Sequence, residues 1–145
     1  MLHPLRLLQI ATLFLTAALG TAAQQDKEKP APTATSPDGK LIATASGEQI
    51  MITDVATNKA LRKMQAHKGD VTALAFSPDG QQLASGGRDM SVRLWTATGQ
   101  LIRSLKGHQA VIESVRFAAD GTTLTTHAAD GKTHIWDVAT GKQLQ

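Results

Sequence analysis

Short runs in which apolar side chains alternate with small or polar ones recur along the chain, each closed by turn residues. Val71-Thr72-Ala73-Leu74-Ala75-Phe76 is such a run and ends at Ser77-Pro78-Asp79-Gly80, with Pro and Gly where a tight turn uses them. Gln82-Leu83-Ala84-Ser85 resumes a strand, Gly86-Gly87-Arg88-Asp89 turns it, and Val92-Arg93-Leu94-Trp95 returns. Thr98-Gly99 makes the next turn before Leu101-Ile102-Arg103-Ser104-Leu105. Four short strands with a turn signal roughly every 8–12 residues predict one antiparallel meander. Helix is not expected, because no stretch after residue 24 sustains a helical period for three turns.

The meander repeats. Ser36-Pro37-Asp38-Gly39, Ser77-Pro78-Asp79-Gly80 and Ala118-Ala119-Asp120-Gly121 lie 41 residues apart, as do His67 and His108, Asp89 and Asp130, and Trp95 and Trp136. A fixed period of this length signals stacked supersecondary units, not one core with one active site. Repeats are expected over 36–76, 77–117 and 118–145. In the third, strands are predicted over 111–117, 123–127 and 133–138, with a fourth beginning near Gln143. The first is degenerate: its opening strand is only Pro32-Thr33-Ala34-Thr35, and Thr53 occupies the Trp position. One residue is missing between Ala45 and Gln49, which removes the turn Asp.

Before the repeats, Met1–Arg6 carries one basic residue, Leu7–Leu19 is apolar, and Gly20-Thr21-Ala22-Ala23 is small. This pattern predicts a signal peptide over 1–23, cleaved after Ala23, and a secreted or periplasmic protein. The apolar run is short of the ~20 residues needed to cross a bilayer, so membrane contact is expected only in transit. Residues 24–35, polar and then rich in Pro and Ala, read as a flexible linker.

Composition adds little to the repeat but excludes several chemistries. With no Cys there are no disulfides, thiolate metal sites or Cys nucleophile. The net charge of +3 comes from basic residues scattered among acids, so nucleic acid is not an expected partner. No Gly-rich loop precedes a helix with Lys and Ser or Thr, so nucleotide binding has no support, and no cofactor is expected.

His67, Ser85 and Asp89 supply the three groups of a Ser-His-acid hydrolase. The same roles recur at His108, Thr126 and Asp130, each set followed six residues after the Asp by Trp95 or Trp136. Catalytic sites are rarely duplicated at every structural period, and no nucleophile elbow is present. A buried relay explains the repetition better: Asp accepts from the His ring, the hydroxyl meets the other ring nitrogen, and the indole N–H donates to the hydroxyl. No catalytic residue is assigned. His127 and His134, near Asp130, suggest a metal, but two strand histidines of unrelated orientation are the simpler reading, and no metal site is assigned.

Gly107-His108, Ser77-Pro78-Asp79-Gly80, the turn acids Asp89 and Asp130, and Trp136-Asp137 together resemble the WD-repeat family over residues 36–145. The resemblance implies an all-β fold: a partial WD-repeat β-propeller of about three four-stranded antiparallel blades, the first degenerate and the last incomplete. Each repeat would contribute the outer strand of one blade and the inner three of the next. The family's structural tetrad maps to His67, Ser85, Asp89 and Trp95, and to His108, Thr126, Asp130 and Trp136.

The function implied is that of an exported, non-catalytic scaffold that binds a protein or peptide. The resemblance places its contacts at Lys68, Asp70, Thr72 and Arg88, and at Gln109, Val111, Glu113 and Ala129. Alternatives are a secreted ligand- or sugar-binding or enzymatic propeller, and a remnant without independent function. Propellers usually have about four to eight blades, so three leave faces uncovered. Homo-oligomeric completion of a ring, blades supplied by a partner, and a piece of a longer protein all remain open.

Overall fold

Eleven short strands form in the computed structural model, which describes residues 30–145. The expected signal peptide over 1–23 and the first half of the expected linker, 24–29, lie outside the described residues. The linker reading needs one correction. Thr33–Thr35, within it, is strand β1 and pairs with the next strand as Thr33↔Thr44, Ala34↔Ala43 and Thr35↔Ile42.

Three antiparallel sheets succeed one another along the chain. Blade 1 is β1, β2 (Leu41–Ser46), β3 (Gln49–Asp54) and β4 (Ala60–Gln65). Blade 2 is β5 (Val71–Phe76), β6 (Gln82–Gly87), β7 (Val92–Thr96) and β8 (Leu101–Leu105). Blade 3 is β9 (Ile112–Phe117), β10 (Thr123–Ala128) and β11 (Thr133–Asp137). Its fourth strand is only begun, with Gln143 bridging Trp136 and the Leu144 N–H donating to Ile135 O at 2.7 Å. The sheets thus start one strand before the Ser-Pro-Asp-Gly turn that opens each repeat in the sequence. No helix occurs among the described residues.

Why the strands turn where they do is written in side chains. At the first turn Ser36 Oγ donates to Asp38 Oδ1 at 2.6 Å and accepts the Leu41 N–H at 2.9 Å, while Asp38 accepts the Lys40 N–H at 3.0 Å. Ser77 and Asp79 repeat these bonds at the second turn. In the third, where Ala118 replaces the serine, Thr122 Oγ1 donates to Asp120 at 2.8 Å instead. Gly39, Gly80 and Gly121 share φ near 73°, the left-handed conformation that favours glycine.

Alternation then sorts side chains between the two faces of each blade. Ala43, Ala45, Ile50, Ile52 and Met64 of blade 1 pack on Val71, Leu83 and Trp95 of blade 2. Ala73, Ala84, Val92, Leu94 and Leu105, from the other face of blade 2, pack on Ile112, Val115, Leu124, Trp136 and Val138 of blade 3. The described residues therefore form two inter-blade cores and no single centre. Stability is shared between neighbours in sequence, as in other stacked repeats.

Candidate functional site

Blade 2 holds a complete polar relay inside its sheet. His67 Nδ1 lies 3.0 and 3.1 Å from the two carboxylate oxygens of Asp89, which can only accept, so Nδ1 carries the proton. The other ring nitrogen, Nε2, then accepts the Ser85 O–H at 2.8 Å, and Trp95 Nε1–H donates to Ser85 Oγ at 2.9 Å. Ser91 Oγ and the Lys68 N–H also donate to Asp89, at 2.8 and 3.2 Å. Every donor has an acceptor, as a sheet packed on both faces requires.

Charge is set by these contacts. Burial pushes the His67 imidazole below its ordinary value, against the pull of Asp89, so it stays neutral near pH 7. Burial raises Asp89, but the hydrogen bonds from Ser91 and Lys68 and the nearby imidazole outweigh it, and its carboxyl sits below the usual range. The pair is a hydrogen bond from a neutral ring to a carboxylate. Room for the ring comes from Gly87, where a Cβ would lie 2.7 Å from His67 Cγ.

Blade 3 keeps only part of the arrangement. His108 Nε2 lies 2.7 Å from Thr126 Oγ1, which accepts Trp136 Nε1–H at 2.9 Å. Asp130, expected as the fourth member, does not join: it is exposed and accepts the Lys132 N–H at 3.0 Å, while His108 Nδ1 is buried without a partner. The cause is local. Lys132 replaces the hydroxyl that Ser91 offers in blade 2, so nothing draws the carboxylate inward. His134 fills the place of Arg93 and lies against His108, ring centroids 4.1 Å apart. Burial, and then the neighbouring His134, push the His108 imidazole down despite Asp130.

Ser85 and Thr126 are each 0% exposed, so neither hydroxyl opens onto a pocket. His127 and His134 do not converge. His127 pairs across the strands with Thr133, and His134 with Thr126, which puts them on opposite faces of the sheet. Among the described residues no group of three His, Asp or Glu is placed to hold a metal ion.

The candidate contact residues gather where the strand β5 or β9 is entered and where β6 and β10 turn. Lys68, Asp70, Arg88, Gln109, Glu113 and Ala129 are exposed, whereas Thr72 and Val111 are half-buried. Arg88 is not a free guanidinium: its Nε stands 3.8 Å from Asp70 Oδ2, both side chains about two-thirds exposed at 65% and 63%. Thr72 and Glu113 are the extra residues of matching bulges, skipped between Val71↔Gly87 and Ala73↔Gly86 and between Ile112↔Ala128 and Ser114↔His127. Thr72 turns back to donate to Gly86 O at 3.1 Å. Glu113 remains outside, 3.7 Å from His127 Nε2.

Two arginines escaped the sequence reading. Arg62 and Arg103 lie 41 residues apart, and each reaches from an outer strand to the following blade. Their spacing was the available signal.

Four-stranded antiparallel blades stacked through apolar faces, with a His-hydroxyl-Trp relay inside the sheet, define a protein built of propeller-type blades. The model of the WD domain, G-beta repeat family matches residues 58–96 and 99–137, together more than half of the 145-residue chain. The chain belongs to this family. Both matched spans run from the outer strand of one blade through the inner three of the next. No curated protein sequence matches the chain. Repeats of this family are in general protein-interaction scaffolds and generally non-catalytic.

Proposed function

We propose that the chain is an exported, non-catalytic scaffold that holds a protein or peptide partner on the loops carrying Lys68, Asp70, Arg88, Gln109 and Ala129. One observation carries the reading: the hydroxyls that resemble nucleophiles are buried and bonded inside the sheets, while exposed polar side chains, Lys68, Asp70, Arg88 and Gln109, gather on these loops. Loops positioned by a rigid sheet are where recognition usually sits. The Asp70–Arg88 pair offers a partner either charge, because an exposed pair this loose is readily exchanged.

A photo-crosslinker at Lys68 or Gln109, with one at Ile102 as control, tests the binding face. The partner is expected to crosslink from the two loops and not from Ile102. Once isolated, it should bind Arg88→Ala about tenfold more weakly, or about 1.4 kcal/mol. Equal crosslinking from all three positions, or unchanged affinity, would remove these loops from the interface. Export is tested separately by sequencing the mature N-terminus. Gln24 is expected there, and an intact Met1 in the cytoplasmic fraction would refute export.

A further inference from the structure

Among the described residues, Asn58 and Met90 are the non-glycine residues in left-handed backbone. Asparagine tolerates that region, whereas an unbranched apolar residue only strains its Cβ there. Met90 lies in the turn between β6 and β7, with φ of 68°, and the same turn of blade 3 carries Gly131 with φ of 83°. The corresponding turn of blade 1, one residue shorter, has Gly47 with φ of 57°. The backbone at this place asks for glycine, and blade 2 alone of the three supplies something else.

Packing does not explain the methionine. A Cβ at Gly131 would have nothing within 4 Å, so the position aims a side chain away from the sheets. Met90 is accordingly 43% exposed. The other exposed large apolar side chains lie on or after strands β3, β4, β8 and β11. Met90 is therefore the one exposed large apolar side chain beside the loops of Lys68, Asp70 and Arg88.

Its base is stiff. The Met90 N–H donates to Gly87 O at 3.2 Å, and the Arg88 N–H donates to Asp70 O at 2.9 Å, which ties this turn to the loop before β5. The two strands of contact are close, since a Cβ at Gly69 would stand 3.2 Å from Arg88 Cβ. On either side of Met90, Asp89 accepts from His67 at 3.0 Å and Ser91 Oγ donates to Asp89 at 2.8 Å, so the buried relay holds the turn from below.

An apolar side chain on a fixed base, set among charged neighbours, has the make-up of an interface anchor. The polar surround excludes water around one desolvated contact, and little ordering is left to be done on binding. Backbone strain of this kind gathers at ligand clamps. One methionine is too small a patch to hold a lipid surface, so the fitting occupant is a single side chain. The thioether adapts to aliphatic groups and makes favourable contacts with aromatic rings.

We infer that Met90 is the apolar anchor of the partner-binding face, and that the partner brings to it a polypeptide segment carrying an aliphatic or aromatic side chain. The inference rests on the reading that a partner meets these loops, and it adds the residue that selects the partner.

The test uses the purified full chain, isotope-labelled at its methionine methyl groups. Short random peptides displayed on phage are selected on it, and the enriched ones are synthesised and titrated by NMR. They are expected to share an apolar residue and to shift the Met90 methyl and the Lys68 and Gln109 amides. The Met51 methyl, 37% exposed, should not move. Met90→Gly, which relieves the strained turn, and Met90→Gln, which keeps the side-chain length, should each bind about tenfold more weakly, while Met90→Leu stays within about threefold of wild type. Urea midpoints establish that each variant is folded. Peptides that shift the loop amides but bind Met90→Gly and Met90→Gln as tightly as wild type would overturn the anchor and leave the binding face standing. Peptides that bind away from these loops, or a selection that enriches none, would overturn both.

Discussion

Arg103 ties two blades together through the backbone of Thr140. Its Nη1 donates to the Thr140 carbonyl at 2.7 Å and its Nη2 to the Ala139 carbonyl at 2.7 Å, so one guanidinium from β8 spans two consecutive peptides of the next blade. Arg62 of β4 makes the corresponding contact with the Thr98 carbonyl through Nε at 2.9 Å. A glycine lies beneath each: a Cβ at Gly141 would be 2.8 Å from Arg103 Cδ, and one at Gly99 would be 2.4 Å from Arg62 Cγ. Between sheets joined mainly by apolar contacts, these arginines fix the angle of approach at the outer edge.

Removing the tie should cost more than removing its charge. Arg103→Ala is expected to lower unfolding stability by about 1–2 kcal/mol, the loss of two charge-assisted bonds that are partly open to water. Arg103→Lys should recover less than half of this, because an ammonium cannot reproduce the planar fork. Urea unfolding of the three proteins decides it. Full recovery by lysine would show that charge alone suffices.

The two turn aspartates, identical in the repeat pattern, should differ in energetic weight. Asp89 accepts from His67, Ser91 and the Lys68 N–H, so Asp89→Asn should cost about 2–3 kcal/mol by weakening a partly buried network. Asp130 caps only its own turn from an exposed position, and Asp130→Asn should stay within about 0.5 kcal/mol of wild type. Comparable losses at the two sites would mean that Asp130 turns inward in solution.

The difference between these aspartates marks how far the residues are legible without coordinates. Strands, turns and the relay of His67, Ser85, Asp89 and Trp95 are legible because each is printed at a period of 41 and each rests on local turn chemistry or a self-satisfying set of donors and acceptors. Asp130 is misplaced by the repeat pattern because the inward turn of its equivalent, Asp89, is supported by Ser91, a residue outside the repeated four, whose counterpart beside Asp130 is Lys132. Arg62 and Arg103 are easily overlooked because their acceptors are backbone carbonyls, which carry no sequence mark.

Acidification should weaken the fold before any carboxylate titrates. Burial holds the imidazoles of His67 and His108 below their ordinary value of 6.5 in the folded chain, so below that pH the unfolded chain takes up protons that the folded one resists. Stability from these two groups is present above pH 6.5 and is lost as pH falls through their depressed folded values. Asp89 adds a second decline below its ordinary 3.8, since its carboxyl is depressed in the folded state. Urea midpoints measured downward from neutral pH should be level above the histidine range and then fall. A midpoint that rises on mild acidification would show that one ring gains a carboxylate partner, with Asp130 the nearest candidate for His108.

Met90 stands where blade 3 has Gly131, and both occupy left-handed backbone, with φ of 68° and 83°. For a residue with a Cβ this conformation costs roughly 1–2 kcal/mol, while the extra freedom of an unfolded glycine offsets part of any relief. The Met90 side chain offers little in return, being 43% exposed. Met90→Gly should therefore stabilise the chain by about 0.5–1 kcal/mol, and Met90→Asn by somewhat less, since asparagine tolerates the left-handed region but still carries a Cβ. Met90→Val, with a branched Cβ at the same φ, should destabilise. The three urea midpoints then fall in the order Gly, Asn, Val. A reversed order would mean that methionine makes a contact within the chain in solution strong enough to hold the strained turn.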